Sequence, residues 1–367
     1  MIFKLIPALL VVGLGAYAVI ELLVSGILPS LYAITLCVVY VLIAAGALLL
    51  TLRSFKTKGR TITARVFGVI ILVCILAIAA FGTYTLKRSL SILDKVSDSE
   101  NAVTIETRKG FNVFISGIDT YGDIQTQSRS DVNIVASVNP DTRKVLLTTI
   151  PRDSYVSIAL GGNDGMDKLT HAGNYGVESS MKTVARLLDT DIDAYLRINF
   201  TSFMKSIDTI GGITVSNPRT FTIDGVTFPA GKVELDGKRA LLFSRERKSL
   251  EGGDVDRGKN QQRVIEGVIN KMSRVRSISD FEALLSMVGT SVQTNISTGT
   301  AKSLINQQIG SPKAWTTTSY SLEGKGQTGG LPSYAMPNAQ LYMYVLNKES
   351  VQKAQQAIRD TLGHTTQ

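Results

Sequence analysis

Arginine is dense in one short stretch of the chain. The stretch contains Arg239, Arg245, Arg247, Arg257 and Arg263. The planar guanidinium group bonds two phosphate oxygens at once and stays charged at physiological pH, whereas lysine is less directional. Long apolar runs in the N-terminal quarter are of the length that crosses a bilayer. Together these features predict a protein that binds phosphate groups on a lipid.

Two pairs within the stretch require different backbone geometries. Arg245 and Arg247 are two residues apart, so their side chains converge only if the chain has left the helix predicted over residues 237–243. Arg257 and Gln261 are four apart and share a face at the start of a predicted helix, whose free N–H groups attract anions. In the alternative interpretation, a solvated charged strip, acids merely pair with the arginines. The candidate acids are Glu246, Glu251, Asp254 and Asp256.

Charged residues also stand at the ends of predicted strands, where α/β sheets bind ligands. Asp119 follows the first strand, and Arg129 and Asp131 share a side of the next one if that strand is already extended at residue 129. We predict that Asp119 and Asp131 are ligands of Mg²⁺, a hard ion. Phosphate oxygens of the substrate would complete its coordination shell. Alternatively, the two aspartates are a turn cap and a salt-bridge partner of Arg129. Pro151 fixes the backbone before Arg152 and could therefore fix the direction in which the Arg152 side chain points.

Few residues are present for other catalytic chemistries. Both cysteines, Cys37 and Cys74, lie in apolar runs, which excludes cysteine chemistry from the rest of the chain. His364 lies in a polar C-terminal tail, so a Ser-His-Asp system would depend on His171. The favoured interpretation of His171 is a structural residue of a turn or helix start, because no nucleophile can be identified for it.

The charge distribution argues against nucleic acid as a partner. The chain has 39 Lys and Arg residues and 30 Asp and Glu residues, a formal net charge of +9. Eight of the basic residues and one acid lie before residue 93, so the remainder is nearly balanced. A nucleic-acid-binding domain needs a broadly basic face, which this balance does not supply.

Three apolar runs, at about residues 5–24, 28–52 and 66–86, predict three transmembrane helices. A cleaved signal peptide is the alternative for the first run. The loop after the second run is rich in Lys and Arg, and the positive-inside rule places it in the cytoplasm. The third span then carries residue 93 onward outside the cell. We therefore predict a membrane anchor over 1–92, an extracellular connector over 93–109 and an extracellular domain over 110–367.

The domain is predicted to be α/β, with a central sheet flanked by helices, because strand and helix patterns alternate. The predicted strands are residues 111–118, 132–138, 144–150 and 195–200. The predicted helices are residues 179–188, 203–210, 258–276 and 338–362. The glycine-rich segment 324–330 is predicted to be a flexible loop.

Several short motifs, by their order and spacing, resemble those of the LytR-CpsA-Psr family. They are residues 116–119, 128–131, 150–153, 168–171, 211–215 and 244–247, followed by Asp254, Arg257 and Gln261. The resemblance covers about residues 110–310. With its predicted three-span anchor, the chain is most similar to the streptococcal capsule-assembly branch of a family found in Gram-positive bacteria.

The resemblance implies an α-β-α layered enzyme that transfers a glycopolymer from a polyprenyl pyrophosphate carrier onto peptidoglycan, outside the membrane. It implies that Asp119 and Asp131 hold Mg²⁺, with Mn²⁺ as a substitute, against the pyrophosphate. It also implies a set of residues that bind the pyrophosphate oxygens, and it leaves the role of Asp254 open. That set is Arg129, Arg152, Arg245, Arg247, Arg257 and Gln261.

The chain departs from the family pattern at Tyr121, where many members carry arginine two residues after the first motif aspartate. Three functions remain open at this point. The first is phosphotransfer of a capsular polysaccharide, in which Asp119 is either a metal ligand or the base that accepts the hydroxyl proton. The second is a non-catalytic receptor for prenyl-pyrophosphate sugars that regulates capsule synthesis. The third is a lipid pyrophosphatase that uses water as its acceptor.

Overall fold

The computed structural model describes residues 2–24, 30–52, 57–96, 102–107, 109–122, 124, 128–247, 249–250, 253–274 and 292–363. The chain divides into two compact units. The first contains Met1–Ser91 and Lys302–Ser311, and the second contains Ile92–Ala301 and Pro312–Gln367. Every candidate site residue lies in the second unit.

Helices α1 (Ile2–Val24), α2 (Ser30–Leu52) and α3 (Lys58–Val96) form the N-terminal region. Two of them contain segments long and apolar enough to cross a membrane, Ile34–Leu52 and Lys58–Tyr84. The described apolar stretch of α1 covers only Val12–Glu21, which is shorter than the roughly 20 residues that a crossing helix needs. Among the residues that the structure describes, two helices therefore qualify as candidate spans where the sequence predicted three.

The second unit is built on a mixed six-stranded sheet with the strand order β11-β6-β1-β2-β3-β12. Strands β1 to β3 form an antiparallel meander, and β6 and β12 add a parallel partner on either side of it. The four predicted strands are confirmed, with ends that differ by at most two residues. The sheet consists of β1 (Phe111–Ile118), β2 (Ser130–Asn139), β3 (Lys144–Thr149), β6 (Ala194–Asn199), β11 (Gln293–Thr294) and β12 (Thr316–Ser321).

Four two-stranded pairs and seven further helices are described in the rest of the chain. The pairs are β4 (Tyr155–Ser157) with β5 (Met166–Lys168), β7 (Ile213–Asn217) with β10 (Gly231–Leu235), β8 (Phe221–Ile223) with β9 (Val226–Phe228), and β13 (Gly324–Thr328) with β14 (Tyr342–Leu346). The helices are α4 (Leu169–Ala172), α5 (Val177–Leu188), α6 (Phe200–Thr209), α7 (Gly237–Arg245), α8 (Asp254–Met272), α9 (Thr298–Gly310) and α10 (Lys348–Leu362).

Helices cover both faces of the sheet. In β2, Val135 belongs to a core cluster with Leu188 of α5 and Ile358 of α10. Its neighbour Ile134 belongs to another cluster, against which Ile265 of α8 packs. Because successive side chains of a strand point to opposite faces, these contacts establish α-β-α layers.

A second core is formed by α6, α7 and the small strands β7 to β10. Its centre is aromatic, with Phe228 and Phe243 fully buried, and Val264 of α8 also contributes to it. Gly237 allows α7 to begin directly against α6, because an added Cβ would lie 2.2 Å from the carbonyl oxygen of Met204. Helix α8 thus packs against the sheet and against this second core.

Two predictions about the C-terminal region are wrong. Residues 338–347, predicted as part of a long helix, contain strand β14, and the helix begins only at Lys348. The segment 324–330, predicted as a flexible loop, contains β13, which pairs with β14 from Gly324 opposite Leu346 to Thr328 opposite Tyr342. Pairing with a distant β-prone segment overrode the local glycine content.

Part of the segment predicted as a connector is attached to the domain. Helix α3 continues to Val96, and after the undescribed residues 97–101 the chain packs on the second unit. Val103 forms a β-bridge with Ile296, and Ile105 is buried while its N–H donates to Thr300 Oγ1 over 2.9 Å. Residues 102–107 are therefore not a free tether.

One buried carboxylate, Asp167, fixes the start of α4 to the segment around residue 335. Asp167 is 1% exposed. Burial raises its pKa, but hydrogen bonds, led by that of His171, outweigh this effect and lower the pKa from 3.8 to about 2. The groups bonded to it are His171 Nδ1 at 2.8 Å, Ser333 Oγ at 2.8 Å, the Ala335 N–H at 2.8 Å and the Lys168 N–H at 2.7 Å.

This cluster agrees with the structural interpretation of His171. The side chain is buried, and His171 lies within the four-residue helix α4. Ser333 donates to the carboxylate of Asp167 rather than to the imidazole, unlike the serine of a Ser-His-Asp triad. The cluster holds α4 in place, and α4 carries Thr170 toward the candidate site.

We expect the Asp167 carboxylate to make folding sensitive to acid. Because the folded protein holds this pKa below its unfolded value, the stabilisation is present above about pH 4 and is lost as the pH falls toward about 2. The loss corresponds to roughly 2 kcal/mol of unfolding free energy. Denaturant unfolding of the full chain in detergent should show that Asp167→Asn lacks this part of the acid dependence and is less stable than wild type at pH 7.

Asp164→Asn is the matched control, because Asp164 lies at the surface with a 66% exposed side chain, where it pairs with Arg186. Exposed pairs contribute at most about 1 kcal/mol, so this variant should follow the wild-type curve closely. A wild-type acid slope in Asp167→Asn would contradict the assignment.

Candidate active site

Four of the predicted site residues line one cleft. They are Asp131, Arg152, Arg257 and Gln261. These residues come from β2, from the turn after β3 and from the first turns of α8, so three distant segments of the chain build the cleft. One carboxylate beside two guanidinium groups suits a phosphate that arrives with a cation.

Asp131 owes its position to an irregularity in the sheet. The register of β1 against β2 shifts between Gly117 and Ile118, so that Asp131 is the extra residue on β2. Such an inserted residue is a β-bulge, which bends the strand and re-aims a side chain. The bulge lies where β1 ends and the site begins.

The predicted shared side of Arg129 and Asp131 is not supported. That prediction required an extended chain at residue 129, but β2 begins at Ser130 and the bulge follows at once. Asp131 instead meets Arg152, whose Nη1 lies 3.0 Å from Asp131 Oδ2. The alternative salt bridge between Asp131 and Arg129 is likewise not among the described ion pairs.

Arg152 is held through its backbone and its side chain. The Ser154 N–H donates to Pro151 O over 3.0 Å and closes a turn around Arg152. Arg152 Nε lies 3.5 Å from Asp153 Oδ2, and Lys168 Nζ lies 2.9 Å from the other oxygen of Asp153. The Arg152 guanidinium is therefore placed between two carboxylates.

Buried amides fix α8 against the sheet and against α7. Gln262 Nε2 donates to Leu147 O over 3.2 Å and to Tyr320 O over 2.9 Å, bridging β3 and β12. Asn260 Nδ2 donates to Phe243 O near the end of α7 over 3.2 Å. Directional bonds of this kind set the rotation of the helix as well as its distance.

Arg257 and Gln261 share a face of α8, as their spacing predicted, and both line the cleft. The helix begins at Asp254 rather than at residue 258, which places Arg257 in its first turn. Gln261 Nε2 also lies 3.5 Å from Ser244 O. The family resemblance left the role of Asp254 open, and its side chain lies outside the described part of the structure.

An aromatic contact connects Arg245 with the segment after β1. Arg245 is the last residue of α7, and its Cζ lies 4.6 Å from the centroid of the Phe200 ring. Tyr121 meets the same ring edge-on at 5.2 Å, and the Phe200 N–H donates to Thr120 O over 3.1 Å. Asp119 directly precedes Thr120 and is exposed. Phe200 thus contacts both Arg245 and the segment that follows Asp119.

Arg129 and Arg247 have exposed side chains, and no described side-chain contact involves either of them. The other two arginines of the dense stretch lie elsewhere. Arg239 Cζ stacks on Phe228 of the second core at 5.0 Å. Arg263 lines a different cavity. The stretch therefore does not form a single cluster in space.

Of the two acids whose side chains are described, Glu246 departs from the charged-strip interpretation, whereas Asp256 does pair with basic side chains. Glu246 is buried and accepts the Ser249 N–H over 2.7 Å. Asp256 forms ion pairs with Arg219 and Lys259. Glu251 lies outside the described residues.

Sequence reasoning missed several side chains around the cleft. Asp153 and Lys168 complete the charged surroundings of Arg152, and Thr170 Oγ1 lies 3.4 Å from Asp131 Oδ1. Phe200 holds Arg245. Asp153, Lys168 and Thr170 lie within the motifs 150–153 and 168–171, so the sequence did mark them as candidates. The spacing of the two motifs along the chain does not predict that these residues meet in space.

The donor set fits Mg²⁺ only when a ligand supplies further oxygens. The described residues contain no group of three His, Cys, Asp or Glu side chains placed to hold a metal. One oxygen of Asp131 bonds Arg152, while the other has only the long Thr170 contact, and no described contact engages the Asp119 carboxylate. Carboxylate oxygens are hard donors of the kind that suits an ion which keeps several waters and takes phosphate oxygens, but no described contact joins Asp119 to Asp131.

Known proteins share this architecture. The model of the LytR_cpsA_psr family matches residues 81–360. A relative from Enterococcus faecalis, named polyisoprenyl-teichoic acid–peptidoglycan teichoic acid transferase TagU, is 36% identical over 248 residues, which are 66% of this chain and 81% of the relative.

Two solved structures are similar over about 70% of the chain. The crystal structure of TagV from B. subtilis has a TM-score of 0.59 and 26% identity, and the match covers 71% of this chain and 99% of TagV. A structure described as TagT bound to LIIa-WTA has a TM-score of 0.55 and 27% identity, covering 70% and 92% of the two chains. The family match spans more than half of the sequence and includes every motif named above, and the chain accordingly belongs to the LytR_cpsA_psr family.

Proposed function

We propose that this protein transfers a glycopolymer from a polyprenyl pyrophosphate carrier onto peptidoglycan. A hydroxyl oxygen of a peptidoglycan sugar bonds to the sugar-proximal phosphorus, and the bond from that phosphorus to the bridging oxygen breaks. Polyprenyl phosphate leaves with the bridging oxygen, while the hydroxyl proton passes to a base or to water. The polymer remains on the wall through a phosphodiester. The names of the relatives support this reaction class.

The observation that carries the proposal is the ion pair of Asp131 and Arg152 in a cleft shared with Arg257 and Gln261. Phosphoryl transfer needs positioning and charge stabilisation more than covalent chemistry from the protein. Guanidinium groups that the fold already holds in place stabilise the charge that grows in the transition state without reorganising. Arg152 meets this requirement because both its backbone and its guanidinium are held.

Asp119 and Asp131 would hold Mg²⁺, or Mn²⁺ in its place. When bound, the ion neutralises charge on phosphate oxygens. Asp119 has a second role open to it, as the base that accepts the hydroxyl proton, since no described contact engages its carboxylate.

The two apolar helix segments support a membrane location, and we propose that α2 and α3 both cross the bilayer. The basic loop between them lies in the cytoplasm, and α3 delivers the enzymatic unit to the outer face. The donor is then a membrane lipid. We propose capsular polysaccharide as the polymer, because the sequence resembles the capsule-assembly branch. Teichoic acid, the polymer in the names of the relatives, is the competing candidate.

The first test measures transfer directly. Full-length protein in detergent is given a synthetic prenyl-pyrophosphate oligosaccharide, peptidoglycan fragments and Mg²⁺, and acceptor-linked product is quantified. We expect Arg152→Gln to lower the rate about 100-fold, in the range seen when a transition-state charge donor is removed.

Arg186→Gln is the matched control, because Arg186 is 55% exposed and pairs only with surface Asp164 among the described ion pairs. It should transfer at the wild-type rate. Tight donor binding without turnover by wild type would favour the receptor, and sugar phosphate released without acceptor linkage would favour the pyrophosphatase. An unchanged rate in Arg152→Gln would remove Arg152 from the reaction.

The aromatic contact of Arg245 leads to a second prediction. Arg245→Gln should lower the transfer rate by at least about tenfold, because the lost charge lies near the segment of Asp119. Arg239→Gln is matched to it, since Arg239 lies on the same helix and also stacks on a phenylalanine, but in the second core. The control should change stability by about 1 kcal/mol or less and leave the rate intact. Equal rate losses in both variants would indicate a general effect on α7.

A third prediction concerns the metal. Asp119→Asn should raise the Mg²⁺ concentration needed for half-maximal transfer by about tenfold, because a neutral amide replaces one of two anionic donors. EDTA should abolish wild-type transfer, and added Mg²⁺ should restore it. Asp141→Asn, at an exposed turn after β2, should keep the wild-type Mg²⁺ dependence. If Asp119→Asn lowers the maximal rate with no change in Mg²⁺ dependence, Asp119 is the base rather than a ligand.

A further inference from the structure

Helix α8 borders a second cavity, on a flank that the candidate active site does not use. The cavity has a volume of about 300 Å³, at the lower end of small-molecule binding sites. Its cationic wall consists of Arg219, Lys259 and Arg263, and Phe221 contributes an aromatic side chain. No part of the transfer reaction described above uses these residues.

The charges around this cavity do not cancel. Asp256 is the acid among the lining residues, and it is engaged by both Arg219 and Lys259, the latter at 3.1 Å. The lining therefore carries three positive charges against one negative charge. An anion that enters meets a net positive wall, and Asp256 is already neutralised from two sides.

Arg263 is the cation that gains most from an incoming anion. Its side chain is half-buried, and Nη1 donates to Asn260 Oδ1 over 2.8 Å, which is a neutral partner. No acid among the described residues lies within ion-pair distance of its guanidinium. Burial lowers the pKa of Arg263, with the charges of Asp256 and Glu266 opposing that effect and that of Arg219 adding to it. A partly desolvated guanidinium with several donors still available favours an oxyanion.

The two clefts are related by the helix period. Residues 255, 257, 258 and 261 line the active-site cleft, whereas residues 256, 259, 260 and 263 line the second cavity. At about 100° per residue these sets lie on different flanks of the same two turns, and an α-helix with its side chains is about 10 Å across. A ligand chain of a few sugar units is long enough to reach from one cleft to the other.

We propose that this cavity is a subsite for a phosphate group carried on the sugar chain of the donor glycopolymer, apart from the pyrophosphate that reacts. The inference rests on the proposed transfer function. Two arginines and a lysine favour a phosphate over a carboxylate of the peptidoglycan peptide, because guanidinium forks match phosphate oxygens and keep their charge.

The test compares two synthetic donors with full-length protein in detergent. Both carry the same prenyl-pyrophosphate disaccharide, and one is extended by three glycerol phosphate units. We expect wild type to have a lower KM for the extended donor. Arg263→Gln and Lys259→Gln should each raise that KM about tenfold, as for the loss of one charge-assisted hydrogen bond, and leave the KM for the neutral donor within about twofold.

Lys232→Gln, which removes an exposed lysine from β10, is the charge-matched control and should leave both KM values unchanged. Arg263→Lys should recover part of the loss, and thermal midpoints establish that each variant is folded. Equal effects of Arg263→Gln on both donors, or an effect on the acceptor KM instead, would overturn the proposal. The second result would assign the cavity to the peptidoglycan peptide.

Direct binding separates this inference from the transfer function. Anisotropy of fluorescently labelled donors reports affinity without turnover. If wild type transfers neither donor but binds the extended one more tightly, and Arg263→Gln removes that preference, the subsite stands while the proposed function fails. If both donors bind wild type equally, the subsite is refuted whether or not transfer occurs.

Discussion

The candidate active site depends on the rotation and register of α8, which buried amides set more sharply than apolar packing can. Apolar side chains fix how far the helix lies from the sheet, but they tolerate small slides. Gln262 donates to carbonyls of two parallel neighbouring strands, and a slide by one residue would move it 1.5 Å and turn it by 100°. Leaving a buried amide unbonded costs about 1 to 3 kcal/mol. The same constraint fixes Arg257 and Gln261 against β2, and Asn260 extends it to the end of α7, which carries Arg245.

The charged groups of the cleft form an alternating series before any substrate is present. Asp131, Arg152, Asp153 and Lys168 follow one another through contacts of 3.0, 3.5 and 2.9 Å. The series is neutral as a whole, so it positions Arg152 without attracting a pyrophosphate by itself. Attraction must come from the surrounding arginines such as the exposed Arg245. Positioning and attraction are thus assigned to different residues, which lets the fold keep Arg152 rigid without burying an unpaired charge.

Sequence reasoning succeeded where the determinants are local. The four strands are compositionally distinct, and the spacing of Arg257 and Gln261 needs only a helix to place both on one face. It failed where two distant segments decide the outcome. The bulge at Asp131 arises from the register between β1 and β2, and no property of β2 alone encodes it. The hairpin of β13 and β14 likewise needs both strands. Lys168 reaches the site through long-range packing, which cannot be predicted from the spacing of residues along the sequence.

The dense arginine stretch that first indicated a phosphate-binding protein illustrates the same limit. A high density of arginines along the sequence indicates that a segment binds anions. It does not indicate how many separate anion sites the segment forms. Arg257 and Arg263 are six residues apart, so their directions around the helix axis differ by about 120°, and they line separate cavities. Arg239 is used by neither cavity and covers an aromatic core instead. Because α8 is rigidly bonded at Gln262 and Asn260, the two cavities keep a fixed separation, and a polymer that occupies both must present its anionic groups at that spacing.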